Sequence, residues 1–480
     1  MLNILRSRIS GLLPTVPRYD LICVGGGPGN LALVEELKLF RGQASVLILE
    51  LGRRVDARRC PLATRGVCPP CKLCHAVHGV AGAGAYSDGK VSFWPAGTGL
   101  LHLAGSLAAV HDLDARLRHY YEPLRRIGST ATSCAEAVEL ARTLGVTDLE
   151  LKGYDVIHAG SEAIQEFYQE KQRSLQESGV TIHAQSRVTD VSASEGGGYR
   201  ISWERRGEAL VAFAPVLSLG TGKASGRWLR QILDCLGVER QLTEIEHGIR
   251  LEMPHTVTAR LAACHRDAKI KIAVEDGSEV RTFCLCQRGF VLGAYYDDMT
   301  TVSGYSLRDR RSENTNLALL NRIALPPGVD PYLDFLPSIQ VQNRRAQGGV
   351  MVQRLGDFVA SVETTAEDLG KNPVRPTLPS AISGRVELHL DARIRPNLVN
   401  AIWRIDQVCP GFASPHNLVY GPVLEKCWDK VTLTSMRTTA PGLYVVGDAA
   451  GHARGLVQAA ATGLLAARSI AEEWSEVAHA

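Results

Sequence analysis

The stretch YDLICVGGGPGNLALVEELKLFRGQASVLILE, residues 19–50, limits what this chain can fold into more than any other. An apolar run, Leu21 to Val24, meets a glycine cluster at Gly25, Gly26, Gly27 and Gly29, then a helical pattern, then a second apolar run ending at Glu50. That order reads as one βαβ unit, two parallel strands joined by a crossover helix. Gly25 suits the tight turn out of the strand, and Gly27 lets the main chain approach a pyrophosphate. Pro28 and Gly29 then open a helix whose N-terminal amides and dipole favour phosphate. Glu50, closing the second strand, is placed to accept hydrogen bonds from a ribose hydroxyl. The third glycine of the dinucleotide fingerprint is missing, and Asn30 stands in its place. Either the helix sits farther from the strand, or the Asn30 amide is used on a ligand or on the backbone.

The far end of the chain has the same character. In TTAPGLYVVGDAAGHARGLVQAAATGLLAARSI a strand, Leu443 to Val446, runs into Gly447 and Asp448, then Gly451 and Gly455. A small-residue helix follows from Leu456 and Val457, expected to run for about four turns. An aspartate at a strand end beside glycines suits a polyol hydroxyl, and the helix start would aim its amides at negative charge. Between the two ends, VLSLGTGKASGRW places Gly220, Thr221 and Gly222 after another apolar strand. A helix from Ser161 to Ser178, a strand from Thr181 to His183 and a hairpin through Gly196–Gly198 lead up to it.

Residues 60 to 90, CPLATRGVCPPCKLCHAVHGVAGAGAYSDGK, crowd four cysteines ahead of a glycine-rich loop. Cys60, Cys68, Cys71 and Cys74 have spacings that would let them converge on one ion or cluster. Zinc, an iron–sulfur cluster and reduced thiols all fit, since sulfur ligation does not by itself separate zinc from iron. The expected role of these cysteines is to pin the excursion after the second strand. Ser87, Asp88 and Lys90 are the candidate catalytic groups. Lys90 would stabilise developing negative charge, and Asp88 would orient it or accept a proton. Cys284 and Cys286 lie on an expected strand and read as core unless the strand is bulged.

With 480 residues the chain exceeds one ordinary core. A formal charge of +3 is close to balance and gives no reason to expect nucleic acid or a membrane surface as a partner. No apolar run is long enough to span a bilayer, and no secretory signal is visible. Arg6, Arg8 and Arg18 with no acid before Asp20 resemble a transit peptide, but a frayed N-terminal extension, 1–18, is the preferred reading. The expectation is a cytoplasmic protein acting on a small-molecule substrate; the sequence leaves its oligomeric state open.

GGGPGN, GLYVVGDAAG with its helix, and SLGTGK together resemble the FAD-dependent oxidoreductases of the glutathione-reductase-like fold. The cysteine segment with its AGAGAYSDGK loop, and HGIRLEMP, RTFCLCQRGFV, TVSGYSL, QRLGDF and RGLVQAAATG, are similar to the "FAD-dependent dehydrogenase" family. The resemblance implies an α/β fold: a Rossmann-like FAD-binding domain of the glutathione-reductase type with an inserted α+β substrate domain. The FAD-binding domain would comprise 19–245 and 385–475, and the insert 246–384. Asp448 would hold the ribityl chain, Glu50 the adenosine ribose and the backbone near Val188 the adenine. A second dinucleotide fingerprint is not visible, so NAD(P)H would bind transiently or not at all. Hydride exchange between FAD and a small organic substrate is the leading expectation, making or reducing a C–C or C–N double bond. A flavin-dependent double-bond isomerase, a non-catalytic flavin and thiol redox sensor and a monooxygenase are the alternatives. Arg250, Tyr295, Tyr296, Tyr305 and Glu425 are candidate substrate contacts.

Overall fold

The structure, a computed structural model, describes residues 16–69, 71–131, 139, 142, 149–242, 244–296, 299–326, 349–425, 429–452 and 454–479. Arg6 and Arg8 of the basic N-terminal stretch lie outside the described residues.

Two sheets organise the molecule. The first is a five-stranded parallel sheet in the order 443–445, 216–219, 21–24, 46–50, 181–184. Its first two strands in sequence, β1 (Leu21–Val24) and β2 (Val46–Glu50), are buried along their whole length. Continuous aliphatic strands of this kind belong in a parallel sheet covered on both faces. Between them runs the helix α1 (Pro28–Phe40), with proline in its first turn, where no intrahelical partner for its nitrogen is needed. The C-terminal helix, Leu456–His479, lies against α1. At their crossing a Cβ on Gly463 would overlap the carbonyl of Gly29, so only glycine permits this approach. The helix runs well past four turns, because the Ala- and Glu-rich sequence after Ile470 continues to favour it.

The second sheet has eight strands, in the order 382–383, 351–354, 418–425, 244–254, 314–324, 279–286, 269–273, 149–152. It is antiparallel apart from the pair 351–354 and 382–383. This moves the expected boundaries. The strand Leu418–Glu425 pairs with Glu244–Pro254 inside this sheet, and the chain rejoins the parallel sheet at Leu443 rather than near 385. The strand Leu149–Lys152, expected in the nucleotide-binding part, forms its far edge. The first misplacement has a plain cause: a fully buried strand such as Leu418–Glu425 reads as apolar whichever sheet it joins.

The helix Ser161–Glu177, the strand Thr181–Ala184 and the hairpin pairing 186–193 with 199–205 stand where the sequence puts them. Among the described residues no helix is long and apolar enough to cross a membrane.

Candidate functional site

One cavity runs between the two sheets. Its space, open mouth included, is about 1780 Å³, and its walls come from both. At the parallel-sheet end, Gly25 sits at φ +98°, and a Cβ there would overlap the carbonyl of Gly220. The Gly220 amide in turn donates to the carbonyl of Val24 at 2.8 Å, so the two glycine turns interlock. Gly27 caps α1 with no side-chain acceptor, and Gly27, Pro28 and Gly29 line the cavity. The helix therefore presents its first amides to the cavity without a competing cap.

Asn30 does not line the cavity. Its Nδ2 donates to the carbonyls of Val24 at 3.2 Å and Gly25 at 2.8 Å, and its Oδ1 accepts from Ser218 Oγ at 2.6 Å. It is fully buried and ties β1 to the strand 216–219, which corrects its reading as a cofactor contact. Val188 pairs with Trp203 in the three-stranded antiparallel sheet, and Val457 is turned into the core one position round the helix from Leu456. Neither is among the cavity-lining residues, whereas Gly220, Gly222, Asp448, Gly455 and Leu456 are.

Glu50 lines the cavity, yet most of its acceptor capacity is used internally. Oε2 accepts from the amide of Gly26 at 2.7 Å, and Oε1 from those of Gly52 at 2.8 Å and Gly79 at 2.9 Å. A carboxylate offers about four acceptor sites, so roughly one remains for a ligand hydroxyl. These bonds anchor the phosphate loop and the excursion after β2 to one carboxylate.

The excursion is pinned chiefly by a residue that sequence reasoning missed. The Arg58 guanidinium, 1% exposed, donates to the carbonyls of His75 at 2.7 and 3.1 Å, Val80 at 2.8 Å, Gly82 at 2.9 Å and Ala76 at 3.3 Å. Burial pulls its pKa below the ordinary arginine value, while the phenol of Tyr86 and the carboxylate of Glu50 oppose the fall. The loop it holds brings Gly82, Ala83, Gly84, Tyr86, Ser87, Asp88 and Lys90 to the cavity wall. Its low bulk has a reason: a Cβ on Gly84 would overlap Leu456 at the start of the C-terminal helix.

The cysteines do not converge as ligands. Among the described residues, which include Cys60, Cys68, Cys71 and Cys74, no group of three or more His, Cys, Asp or Glu is arranged to hold a metal ion. Cys68 instead points its thiol at the Gly293 carbonyl, 3.8 Å away, and the Tyr295 hydroxyl, 3.9 Å away. Cys60 precedes the short helix Pro61–Arg65. Burial pushes the Cys68 thiol up to about 12 and raises Cys71, so neither is a ready thiolate near neutral pH. The zinc and iron–sulfur readings of this segment are corrected accordingly: local spacing allowed convergence, and although Cys60 and Cys74 lie near enough to raise the Cys68 thiol further, the described thiols are not gathered around one point.

The other end of the cavity is charged. Lys90 Nζ donates to Asp267 Oδ1 at 2.7 Å and to the Leu285 carbonyl, with Asp88 Oδ2 at 3.5 Å. Burial alone would press the Lys90 ammonium down, but Asp267 and Asp88 outweigh it and hold the pKa above the lysine value. Asp267 is raised by burial and lowered more by Lys90 and Lys269, so it stays ionised. Tyr154 also bonds Asp267. Burial and the neighbouring Lys90 depress His158, on the strand beside Lys90, to about 4. The strand 279–286 is bulged between Phe283 and Cys286, with Cys284 at φ +48°. On a regular strand Cys284 and Cys286, two residues apart, would share a face; the bulge separates them, so Cys284 joins the cavity wall with Asp267, Lys269 and Arg250 while Cys286 stays in the core.

Of the expected substrate contacts, Arg250 and Glu425 line the cavity. Glu425 pairs with Lys223 at 2.9 Å and with Arg454. Tyr295 belongs to the Cys68 neighbourhood, Tyr305 stacks on Tyr86 at 6.2 Å, and Tyr296 is buried beside Lys223; none of the three is among the lining residues. Asp267 and Lys269 were also missed. Their signal was the run Asp267, Lys269, Lys271, charges at every second position leading into the strand Lys269–Ala273, where Ile270 and Ile272 alternate with the lysines.

The site fits a large polar cofactor on its own features. Among the described residues Thr221 Oγ1, in the cavity wall, is buried without a hydrogen-bond partner, and a Cβ on Gly222 would meet nothing within 4 Å. Burial pushes the Asp448 carboxyl up to about 6, against the pull of Lys223 and the Gly455 amide. A hydroxyl-rich chain would complete both groups. Residues 258–423 match the family described as "FAD-dependent protein, C-terminal domain-like". The cofactor is FAD.

Structural comparison finds flavoproteins over most of the chain. A flavoprotein/dehydrogenase from Cytophaga hutchinsonii aligns at TM-score 0.43 and 10% identity, covering 96% of this chain and 79% of its own. The p-nitrophenol 4-monooxygenase of Pseudomonas putida aligns at TM-score 0.37 and 12% identity, covering 95% of this chain and 79% of its own. Likenesses this distant carry nothing about the reaction. No match to the sequence was found among curated proteins.

Proposed function

We propose that this chain is an FAD-dependent oxidoreductase exchanging a hydride with a small organic substrate held between the cofactor and the eight-stranded sheet. One observation carries the reading: the glycine turns of the parallel sheet and the buried charges of the second sheet line the same cavity. Bound FAD would supply a two-electron hydride acceptor or donor. The chain's part would begin with holding it: Gly27, Pro28 and Gly29 at the pyrophosphate, Glu50 at the ribose and Asp448 at a ribityl hydroxyl.

Lys90 stays protonated near neutral pH, so its role is a fixed positive charge rather than a proton shuttle. Asp267 holds that charge in place, which leaves Asp88 as the cavity-lining carboxylate available to take a proton. Ser87 offers its main chain to the scaffold, its carbonyl accepting from Ser161 Oγ at 2.8 Å and from the Ser306 amide at 3.1 Å. The raised Cys68 and Cys71 thiols weigh against the redox-sensor reading, which needs reactive thiolates.

The test is the visible spectrum of the purified protein, followed by an anaerobic screen of small acids, amines and alcohols for bleaching of the flavin bands. Stoichiometric flavin and bleaching by at least one class are expected. A protein that takes up no FAD would overturn the reading. So would substrate-dependent incorporation of labelled oxygen into product, which would make the protein a monooxygenase.

A further inference from the structure

The cations at the charged end of the cavity are not equivalent. Lys90 answers to Asp267 and Asp88, and Lys223 and Arg454 both answer to Glu425. Arg250 has no such partner. Its Nη1 donates to Asn316 Oδ1 at 2.5 Å and approaches the Cys284 carbonyl at 3.4 Å, both neutral acceptors, and it forms no ion pair among the described residues. Its Nε is buried without any hydrogen-bond partner among the described residues, although the residue lines the cavity and is only 2% exposed.

A guanidinium almost wholly removed from water, with no counter-ion, is costly to keep. The fold nevertheless makes room for it. Gly304, on the strand Met299–Tyr305, lies so close that a Cβ there would come within 3.0 Å of the Arg250 Cζ. Arg250 also stands on the central strand Glu244–Pro254, paired on both sides, so its backbone is rigidly placed. A planar donor fork on a rigid strand, facing a ligand cavity and lacking an anion, is the arrangement that receives a carboxylate.

We propose that the substrate is a carboxylate, and that Arg250 receives its carboxylate group at the end of the cavity built by the eight-stranded sheet. The proposal rests on the reading that this cavity takes both FAD and substrate. It fixes the charge class of the substrate and one docking point, leaving the rest of the molecule to reach toward the cofactor.

The experiment titrates the holoprotein with matched pairs of probes: acetate and acetamide, benzoate and benzamide, succinate and succinamide. Binding is read by calorimetry and by perturbation of the flavin spectrum, with flavin content measured separately after denaturation. At least one carboxylate should bind tenfold or more tightly than its amide. Arg250→Gln should reduce that carboxylate's affinity at least tenfold with flavin content unchanged, and Arg250→Lys should fall between, keeping the charge but losing the fork. If no carboxylate is preferred over its amide, the proposal is wrong. It is also wrong if Arg250→Gln leaves the affinity intact, or if its only effect is loss of flavin, which would place the guanidinium at the cofactor. Should Arg250→Gln fail to fold, the carboxylate-over-amide preference of the parent protein and the Arg250→Lys titration decide the matter. A parent protein without flavin would defeat the oxidoreductase reading, while calorimetry would still report on Arg250.

Discussion

Replacing Arg58 by methionine tests whether one buried guanidinium holds the loop that forms a cavity wall. Three of its carbonyl partners lie at 2.9 Å or closer, those of His75, Val80 and Gly82. Leaving a buried carbonyl without a donor costs about 1–3 kcal/mol. Even the low end, summed over three, gives about 3 kcal/mol, and relief of the buried charge returns part of any larger sum. The expected loss for Arg58→Met is therefore about 3–5 kcal/mol, a large share of the roughly 5–15 kcal/mol typical of a folded domain. The loop it frees carries Gly82, Gly84 and the approach to Lys90, so FAD should be retained less tightly as well. Cys71→Ser is the control. Its thiol is only partly buried, and the change should move stability by less than about 0.5 kcal/mol. Urea unfolding followed by circular dichroism, with flavin stoichiometry after gel filtration, reads both quantities. An Arg58→Met protein that unfolds within about 1 kcal/mol of the parent and keeps its flavin would refute the reasoning. A Cys71→Ser protein that loses the flavin would return the loop's anchorage to the cysteines.

Three further outcomes are expected. In flavin-free protein the Asp448 carboxyl, pushed up to about 6, binds its proton more tightly when folded than when unfolded, so its contribution to stability is present at low pH and lost as pH rises from about 4 to about 6. Asp448→Asn should remove that fall, worth up to roughly 3 kcal/mol, from the pH profile of the flavin-free protein, and an unchanged profile would contradict the assignment. Gly84→Ala should cost about 1–3 kcal/mol by overlapping Leu456, and Leu456→Ala should recover part of it in the double variant; simple additivity in thermal unfolding would show that the two do not touch. Asn30→Gly restores the dinucleotide fingerprint but deletes three hydrogen bonds, two of them fully buried, so it should destabilise by about 2–4 kcal/mol; a variant as stable as the parent would mean that the side chain ties nothing together.

What the sequence disclosed and what it withheld divide along a physical line. The glycine turns were legible because their requirement is local: Gly25 and Gly455 adopt positive φ, and the neighbouring residues show the strand ending and the helix beginning. The charged end was not. Lys90 meets Asp267 across 177 residues of sequence, and nothing near either residue specifies the other. Cys284 reached the cavity only through a bulge, which breaks the alternation from which its side would be read. The cysteine segment shows the opposite error. Its spacing is a strong local pattern, but the loop is organised by longer-range bonds from Glu50 and Arg58, and the thiols take whatever places those bonds leave.

Asn30 shows how a departure from a motif can be absorbed at a distance. The fingerprint uses glycine there for close helix-to-strand contact, and an asparagine would ordinarily hold the helix off. Here the amide is turned into the turn itself, where it replaces lost packing with bonds to Val24, Gly25 and Ser218. Room for it comes from Gly220, since a Cβ at that position would lie 2.6 Å from the Asn30 Nδ2. The glycine absent from one loop is thus supplied by another about 190 residues later, as the separation of 188 between Asn30 and Ser218 reflects. Gly220 also lines the cavity, so the residue that accommodates Asn30 is one that faces the cofactor. The two turns form one unit, and a change in either should be felt at the cofactor through the other.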